Sequence, residues 1–219
     1  PAYVGYVHEG SLTGNVVVTA KGPTYRDLDE ASVITVLAGK SLAGTGPHTW
    51  YKKTWEAGLA YGNGLDLRPR EGTILYYADR CPSVRATLTF IRAMAKEGSQ
   101  PTQSSAIDYA LAQSFAFSRT ALSPSARAEA IAIDLREGLT PERMQRFSQM
   151  LRRLRRDPQL LQRVRDTVPR VMATVTLGPE HRALQSAAQA VFFVIAPESQ
   201  LTELEGDIPG KLLPRVWPS

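Results

Sequence analysis

A tyrosine that follows a short aromatic helix is the residue of this sequence best placed to take part in chemistry. The stretch W-Y-K-K-T-W-E-A-G-L-A-Y spans residues 50–61 and predicts a helix that stops at Gly58, followed by G-N-G and a strand pattern. A phenol at such a boundary, here Tyr61, can face a cleft and exchange hydrogen bonds with a ligand. A structural interpretation stands beside it, in which Trp50 and Trp55 fill a core and Gly58 caps the helix in the left-handed conformation. The residues alone leave both interpretations open.

Strand patterns at both ends of the chain enclose a series of helical patterns. Strands are predicted at residues 3–8, 15–20, 59–66, 73–78 and 191–196. The last of these is a continuous apolar run, which predicts a strand buried on both faces. Apolar residues at helical spacing follow between residues 82 and 175, including a helix capped by Thr140 with Pro141 at its first position. Because helices must cover the apolar face of a sheet, we predict an α+β fold: one mixed, largely antiparallel sheet covered mainly on one face.

Length and hydropathy predict one domain without a membrane span. With 219 residues, 43% of them hydrophobic, the chain can bury one sizeable core. We assign residues 1–205 to this domain and residues 206–219, which contain three prolines, to a linker or arm. The longest apolar run, Ala190 to Ala196, is far shorter than the roughly 20 residues of a membrane helix. We therefore expect a soluble chain without a signal peptide, in a compartment that the sequence leaves unknown.

The basic charge of the chain comes largely from arginines on two predicted helices. The net charge is +5, and arginines recur between Arg143 and Arg170 beside an apolar stripe. A nucleic-acid surface would interleave such charges with exposed aromatic side chains, whereas Phe147 belongs to the stripe. A solvated helix face is the favoured interpretation, and nucleic acid remains a remote alternative. The single cysteine, Cys81, excludes an internal disulfide, and a buried, inert thiol is its favoured state.

Several segments, taken in order, resemble the non-catalytic half of the pitrilysin or insulinase family of zinc metallopeptidases, the inverted zincins. The segments are G-L-A-Y at residues 58–61, V-H-E-G-S-L-T-G-N-V-V-V-T-A at 7–20, Y-Y-A-D-R at 76–80, D-Y-A-L-A-Q-S-F at 108–115 and F-F-V-I-A-P-E-S-Q-L at 192–201. The resemblance covers nearly the whole chain. It implies the fold of the metalloproteases and processing peptidases, in agreement with the predicted α+β architecture.

The zinc motif of that family is missing here. In H-x-x-E-H two imidazoles one helical turn apart hold the metal and the glutamate acts as general base. This chain has three histidines, His8, His48 and His181, and no two are close in sequence. The nearest approach, L-G-P-E-H, has Leu177 where the first ligand should be. The resemblance therefore implies no metal site in this chain, zinc in a homologous partner half on the same or another polypeptide, and no peptidase activity of this chain alone.

The resemblance also implies a role in binding substrate. In the family, two halves close around a peptide, and the half without zinc supplies an arginine and a tyrosine that bind the peptide backbone and support the developing oxyanion. The tyrosine corresponds to Tyr61, but the arginine position, seven residues earlier, is Thr54. The neighbouring Lys53 can deliver the charge without the bidentate fork of a guanidinium. Asn63, in the G-N-G that follows, is a further candidate for substrate binding.

The resemblance implies two candidate functions. The first is the substrate-binding, non-zinc half of a pitrilysin-type metallopeptidase, which closes on a zinc-bearing half and helps to hydrolyse extended peptides through Tyr61 and Lys53. The alternative is a proteolytically inactive structural or interaction domain of the same family. The substitution of Thr54 for the family arginine favours the alternative, and an intact H-x-x-E-H in a partner half would favour the first.

Overall fold

The computed structural model describes residues 1–27, 29–43, 49–96, 104–116, 123–136, 138–176, 181–208 and 213–216. The strands are β1 (Ala2–Val7), β2 (Gly14–Lys21), β3 (Gly62–Arg68), β4 (Thr73–Cys81), β5 (Val191–Ala196) and β6 (Leu213–Val216). The helices are α1 (Glu30–Lys40), α2 (Trp50–Glu56), α3 (Val84–Lys96), α4 (Ser104–Ala116), α5 (Pro124–Arg136), α6 (Pro141–Leu154), α7 (Leu160–Val175), α8 (Arg182–Ala187) and α9 (Glu198–Glu205).

All six strands form one mixed sheet in the order β3-β4-β2-β5-β1-β6. Neighbours from β3 to β5 are antiparallel, whereas β1 is parallel to both β5 and β6. The five predicted strands therefore share one sheet, as the sequence indicated. The predicted strand at 59–66 is wrong in its bounds, because residues 59–61 serve to end α2 and β3 begins only at Gly62.

Helices cover one face of this sheet, which confirms the predicted fold class. Alternate residues of β2, β4 and β5 are buried, and α1, α3, α7 and α9 contact the strands from that side. The approach of α1 to β3 is close enough to require glycine. A Cβ atom at Gly39 would lie 1.8 Å from Cδ1 of Leu67, so that no other residue fits there without displacing the leucine.

The opposite face of the sheet is only partly covered. In β5, Phe192, Val194 and Ala196 are buried, but Val191 is exposed and Phe193 is half-buried. The prediction that this strand is buried on both faces is therefore wrong. An apolar run has no alternation to show which face is covered, so its sequence could not distinguish a central strand with two covered faces from one with a single covered face. The ring of Phe193 packs against Tyr6 on this second face, with 4.9 Å between the ring centroids.

Local sequence signals set several helix ends. The predicted cap of α6 is confirmed, because the Thr140 hydroxyl accepts a hydrogen bond from the Arg143 N–H and Pro141 opens the helix. In α3 the cap is Ser83, whose hydroxyl accepts the N–H of Ala86 at 3.1 Å. Pro82 immediately precedes this cap.

The C-terminal segment is attached to the domain. The guanidinium of Arg85 pairs with the carboxylate of Asp207 at 2.5 and 3.0 Å, and Ile208 is buried. The backbone of Leu213–Val216 forms the edge strand β6 beside β1. An edge strand in this segment was not anticipated, and a role of residues 206–219 as a linker or arm stays a prediction.

The arginines of α6 and α7 are largely on the surface. Arg152, Arg153, Arg155 and Arg156 are exposed. Arg163 pairs with Glu30 at the start of α1 and with Asp157, at 2.8 Å, so that it ties α7 to α1. None of the described helices combines the length and apolar composition that crossing a membrane requires.

Candidate functional site

The end of α2 is built by a left-handed glycine that places Tyr61. Gly58 has φ of +67°, and its N–H bonds to the carbonyl of Trp55 at 2.9 Å. The N–H of Leu59 reaches back to the carbonyl of Thr54 at 3.2 Å, which completes a Schellman motif. The structural role that the sequence assigned to Gly58 is therefore confirmed. Trp50 is fully buried, but Trp55 is 54% exposed, so only one of the two tryptophans belongs to the core.

Tyr61 lies on the surface at the point where the sheet begins. Its N–H donates to the carbonyl of Asp79 at 3.1 Å, one position before β3 pairs with β4. The preceding Ala60 is 4% exposed, whereas 65% of Tyr61 is exposed. The backbone of Tyr61 is thus held by the sheet while its phenol projects into solvent, where a ligand can reach the hydroxyl.

An arginine lies opposite this tyrosine. Gly62 and Asp79 are the last pair of the β3–β4 ladder, and Tyr61 and Arg80 are the residues that adjoin this pair on the two segments. The guanidinium carbon of Arg80 is 4.7 Å from the centre of the Tyr61 ring. This distance is within the range of a cation–π contact. The pair forms an exposed cluster of one phenol and one guanidinium at the end of the sheet.

A β-bulge aims Arg80 at the tyrosine. Between β2 and β4, Gly14 pairs with Cys81 and Val16 with Ala78, so that two residues of β4 oppose the single residue Asn15. Arg80 has φ of +51°, which is uncommon for a residue other than glycine. The side-chain carbonyl of Asn15 accepts the Arg80 N–H at 3.0 Å and holds this conformation. Bulges of this kind commonly redirect a side chain at the edge of a site.

Thr54 and Lys53 differ in their access to solvent. Thr54 is fully buried, and its hydroxyl has no hydrogen-bond partner among the described residues. The position that carries the family arginine therefore faces the core of this domain. Lys53 is half-buried on the neighbouring face of α2 and forms no side-chain ion pair or hydrogen bond within the described part of the chain. Its ammonium is available to a ligand.

Asn63 is not on the surface with Tyr61. It is 1% exposed, and its amide nitrogen donates to the carbonyl of Tyr51 at 3.2 Å. Its amide oxygen is buried without a partner among the described residues, and Asn63 is one of the residues that line a cavity of about 570 Å³ beside β3. Lys40 also lines this cavity, and burial lowers the pKa of its ammonium while the carboxylate of Asp66 opposes that shift. In this conformation Asn63 links β3 to α2 through its hydrogen bond to Tyr51, and a role of Asn63 in substrate binding stays a prediction.

The remaining reactive residues do not form a centre in the described part of the chain. There, no group of three or more His, Cys, Asp or Glu side chains could hold a metal ion. His8 follows β1 and His181 precedes α8, while His48 and most of L-G-P-E-H lie outside the described residues. Cys81 is buried, and burial raises the pKa of its thiol to about 11, although a hydrogen bond with Thr87 partly opposes this shift. The thiol is therefore protonated at neutral pH.

Arg80 is the residue that sequence reasoning missed. The segment Y-Y-A-D-R was recognised, but nothing local marks its last residue as a partner of Tyr61. The signal lies in the register: a turn centred on residues 70 and 71 pairs Arg68 with Thr73 and, further along the ladder, brings Tyr61 opposite Arg80. A hairpin prediction with this turn would have placed Arg80 close to Tyr61.

Comparison with known proteins supports the fold through structure alone. No protein-family model and no curated protein matches the sequence. Among solved structures, the inactive domain of an M16 peptidase from Pseudomonas fluorescens is similar with a TM-score of 0.56 and 14% identity, over 97% of this chain and 45% of that chain. The inactive peptidase domain of a candidate zinc protease from Bordetella parapertussis has a TM-score of 0.51 and 20% identity, over 74% of this chain and 86% of that chain. Pitrilysin has a TM-score of 0.51 and 14% identity, over 99% of this chain and 22% of that chain.

The chain therefore has the fold of the inactive domains of M16 peptidases. The resemblance to a non-catalytic domain of the pitrilysin type is confirmed at the level of the fold, which is what identities of 14% and 20% establish. The chain spans about 45% of the Pseudomonas protein and 22% of pitrilysin. Both solved chains are thus much longer than this one.

Proposed function

We propose that this chain is the substrate-binding, non-zinc half of a pitrilysin-type metallopeptidase. It closes on a homologous zinc-bearing half, on the same or another polypeptide, and binds the main chain of an extended peptide between the two. The observation that carries the proposal is the exposed phenol of Tyr61, which is fixed by the backbone of the sheet at the G-L-A-Y junction. Lys53 supports it with a positive charge from α2.

The chemistry assigned to Tyr61 is hydrogen bonding to the peptide backbone. A phenol hydroxyl can donate to a peptide carbonyl, and this hydrogen bond strengthens as negative charge develops on the oxygen. Recognition of the main chain tolerates different peptide sequences, because the side chains of the peptide are not read. In this proposal the zinc ion and its general base would belong to the partner half, and there they would supply the activation of water.

A proteolytically inactive interaction domain is the second candidate, and the sheet itself favours it. Tyr6, Val191 and Phe193 contribute apolar surface on the face of the sheet that the described helices leave partly uncovered. A surface of this kind is commonly an interface. The burial of Thr54 adds to this argument, because the domain lacks the family arginine at its usual position.

The experiment is the turnover of a peptide by the chain combined with its zinc-bearing half. Tyr61→Phe removes one hydroxyl and little packing, and the proposal expects kcat to fall by about 10² to 10³ with a smaller change in KM. Tyr51→Phe is the matched control, since it removes the same hydroxyl from a tyrosine of α2 to which the proposal gives no contact with the peptide. Unchanged turnover in Tyr61→Phe, with association of the halves preserved, would make the interaction domain the better assignment.

A further inference from the structure

We infer that Arg80 supplies the guanidinium that the family arginine would provide, so that Tyr61 and Arg80 together bind one stretch of peptide backbone. The inference rests on the proposed function and adds a substrate-contacting residue to it. Thr54, at the position of the family arginine, is buried in the core and carries no charge, so it cannot take this role. Lys53 of α2 offers an ammonium only, whereas Arg80 of β4 offers a guanidinium.

Among the described residues, none accepts a hydrogen bond from the side chain of Arg80. A guanidinium carries five N–H donors in a fixed planar fork. Within the described part of the chain, the Arg80 side chain forms no ion pair and no hydrogen bond, and its guanidinium carbon is 4.7 Å from the centre of the Tyr61 ring. A guanidinium that stacks over a ring keeps the donors at its edge free. These donors suit a carbonyl oxygen of a peptide, above all one that gains negative charge.

The backbone of Arg80 shows that its direction is imposed by the fold. A positive φ costs a residue with a Cβ about 1–2 kcal/mol relative to glycine, and here an arginine adopts it inside a bulge with its N–H held by Asn15. Glycine would fit this backbone with less strain. Arg80 is exposed, and its cation–π contact is with a ring that is itself exposed, so this contact contributes little to the stability of the fold. Its side chain therefore suits a contact outside the domain.

The geometry also explains why the pair can act as a unit. Tyr61 and Arg80 both adjoin the last pair of the β3–β4 ladder, Gly62 and Asp79, and the bond from the Tyr61 N–H to the Asp79 carbonyl holds the two backbones together there. Both side chains leave the same end of the sheet. A peptide carbonyl that accepts the phenol hydroxyl therefore lies within reach of the guanidinium, and binding needs no rearrangement of the backbone.

The test is a binding titration of the chain with a fluorescein-labelled, capped, 16-residue peptide of Ser, Ala and Thr. Arg80→Gly and Arg80→Lys are compared with Tyr61→Phe. A bidentate guanidinium contact predicts that Arg80→Gly weakens binding about tenfold or more and that Arg80→Lys recovers only part of the loss, because an ammonium lacks the fork. Gln189→Gly is the matched control, since Gln189 has the same φ of +51° and lies away from Tyr61.

Stability and binding should separate in these variants. Arg80→Gly and Gln189→Gly both relieve a left-handed residue, so neither should lower the melting temperature, while only Arg80→Gly should weaken binding. If Tyr61→Phe weakens binding and Arg80→Gly leaves it within twofold of the original chain, the inference about Arg80 is wrong and the proposed function stands. If the peptide binds equally to all variants, or not to the original chain, the proposed function fails together with the inference.

Discussion

Thr54 offers a sharp test of the structure, because the family resemblance and the packing predict opposite outcomes for Thr54→Arg. By resemblance, an arginine at this position restores a functional residue. By packing, it forces a long cation into a site that is fully buried in the core. Overpacking alone costs about 1–3 kcal/mol, and a buried charge without a partner adds several more. We expect Thr54→Arg to lose at least about 4 kcal/mol of unfolding free energy, a large part of the total for a typical domain.

The opposite substitution should be harmless. Thr54→Val removes a hydroxyl that has no partner among the described residues and keeps the shape of the side chain, so it should stabilise the chain by up to about 1–2 kcal/mol. Urea unfolding followed by circular dichroism gives both values, and Lys53→Arg serves as a control at the neighbouring half-exposed position with an effect within about 0.5 kcal/mol. A Thr54→Arg protein as stable as the original would refute the reasoning, since it would mean that position 54 can turn outward.

Three further predictions concern packing, pH and metal. Gly39→Ala should lower the free energy of unfolding in urea by about 1–3 kcal/mol, because the alanine Cβ would lie 1.8 Å from the Leu67 side chain, and this outweighs the higher helix propensity of alanine. An increase in stability would show that α1 can move away from β3. The pKa of the Cys81 thiol is raised from 9.0 to about 11, so the thiol ionises in the unfolded chain at lower pH than in the folded chain. The free energy of unfolding should therefore fall as pH rises from 9.0 to about 11, by at most about 1.4 kcal/mol per pH unit, and Cys81→Ala should reduce this loss. An equal loss in Cys81→Ala would mean that other groups cause it. Metal analysis of the purified chain should find no stoichiometric zinc, because no two histidines are at the spacing of a helical metal site, and one tightly bound zinc that is lost in His181→Ala would contradict this.

Local signals in the sequence were sufficient for the elements that frame the site. Gly58 after a helical run predicted a left-handed cap, and the structure has that cap with both of its hydrogen bonds. Thr140 followed by Pro141 predicted the start of α6, because a threonine cap and a proline at the first position are both typical of a helix N-terminus. In each case the residues that determine the conformation are within a few positions of one another. Such interactions can be read from a short window of sequence.

Contacts between segments that are distant in sequence could not be predicted from such local signals. The apolar run of β5 could not reveal that only one of its faces is covered by helices, because coverage depends on how the helices pack on the sheet. Thr54 and Asn63 face the core through the packing of α2 on β3, which no pattern within either segment specifies. The contact of Arg80 with Tyr61 depends on the ladder register and on a bulge opposite Asn15. A lone positive φ at an arginine has no sequence signature.

The position of the bound peptide tests the central claim most directly. A capped 16-residue peptide that carries one benzophenone side chain can be cross-linked to the chain by light, and the attachment site can be read by mass spectrometry after trypsin digestion. Tyr61 lies in the tryptic fragment of residues 54–70 and Arg80 ends the fragment of residues 71–80. We predict cross-links concentrated in these two fragments and lost in the presence of excess unlabelled peptide. Cross-links confined to the partly uncovered sheet face around Val191, or to the cavity beside Lys40, would contradict the assignment of peptide binding to Tyr61.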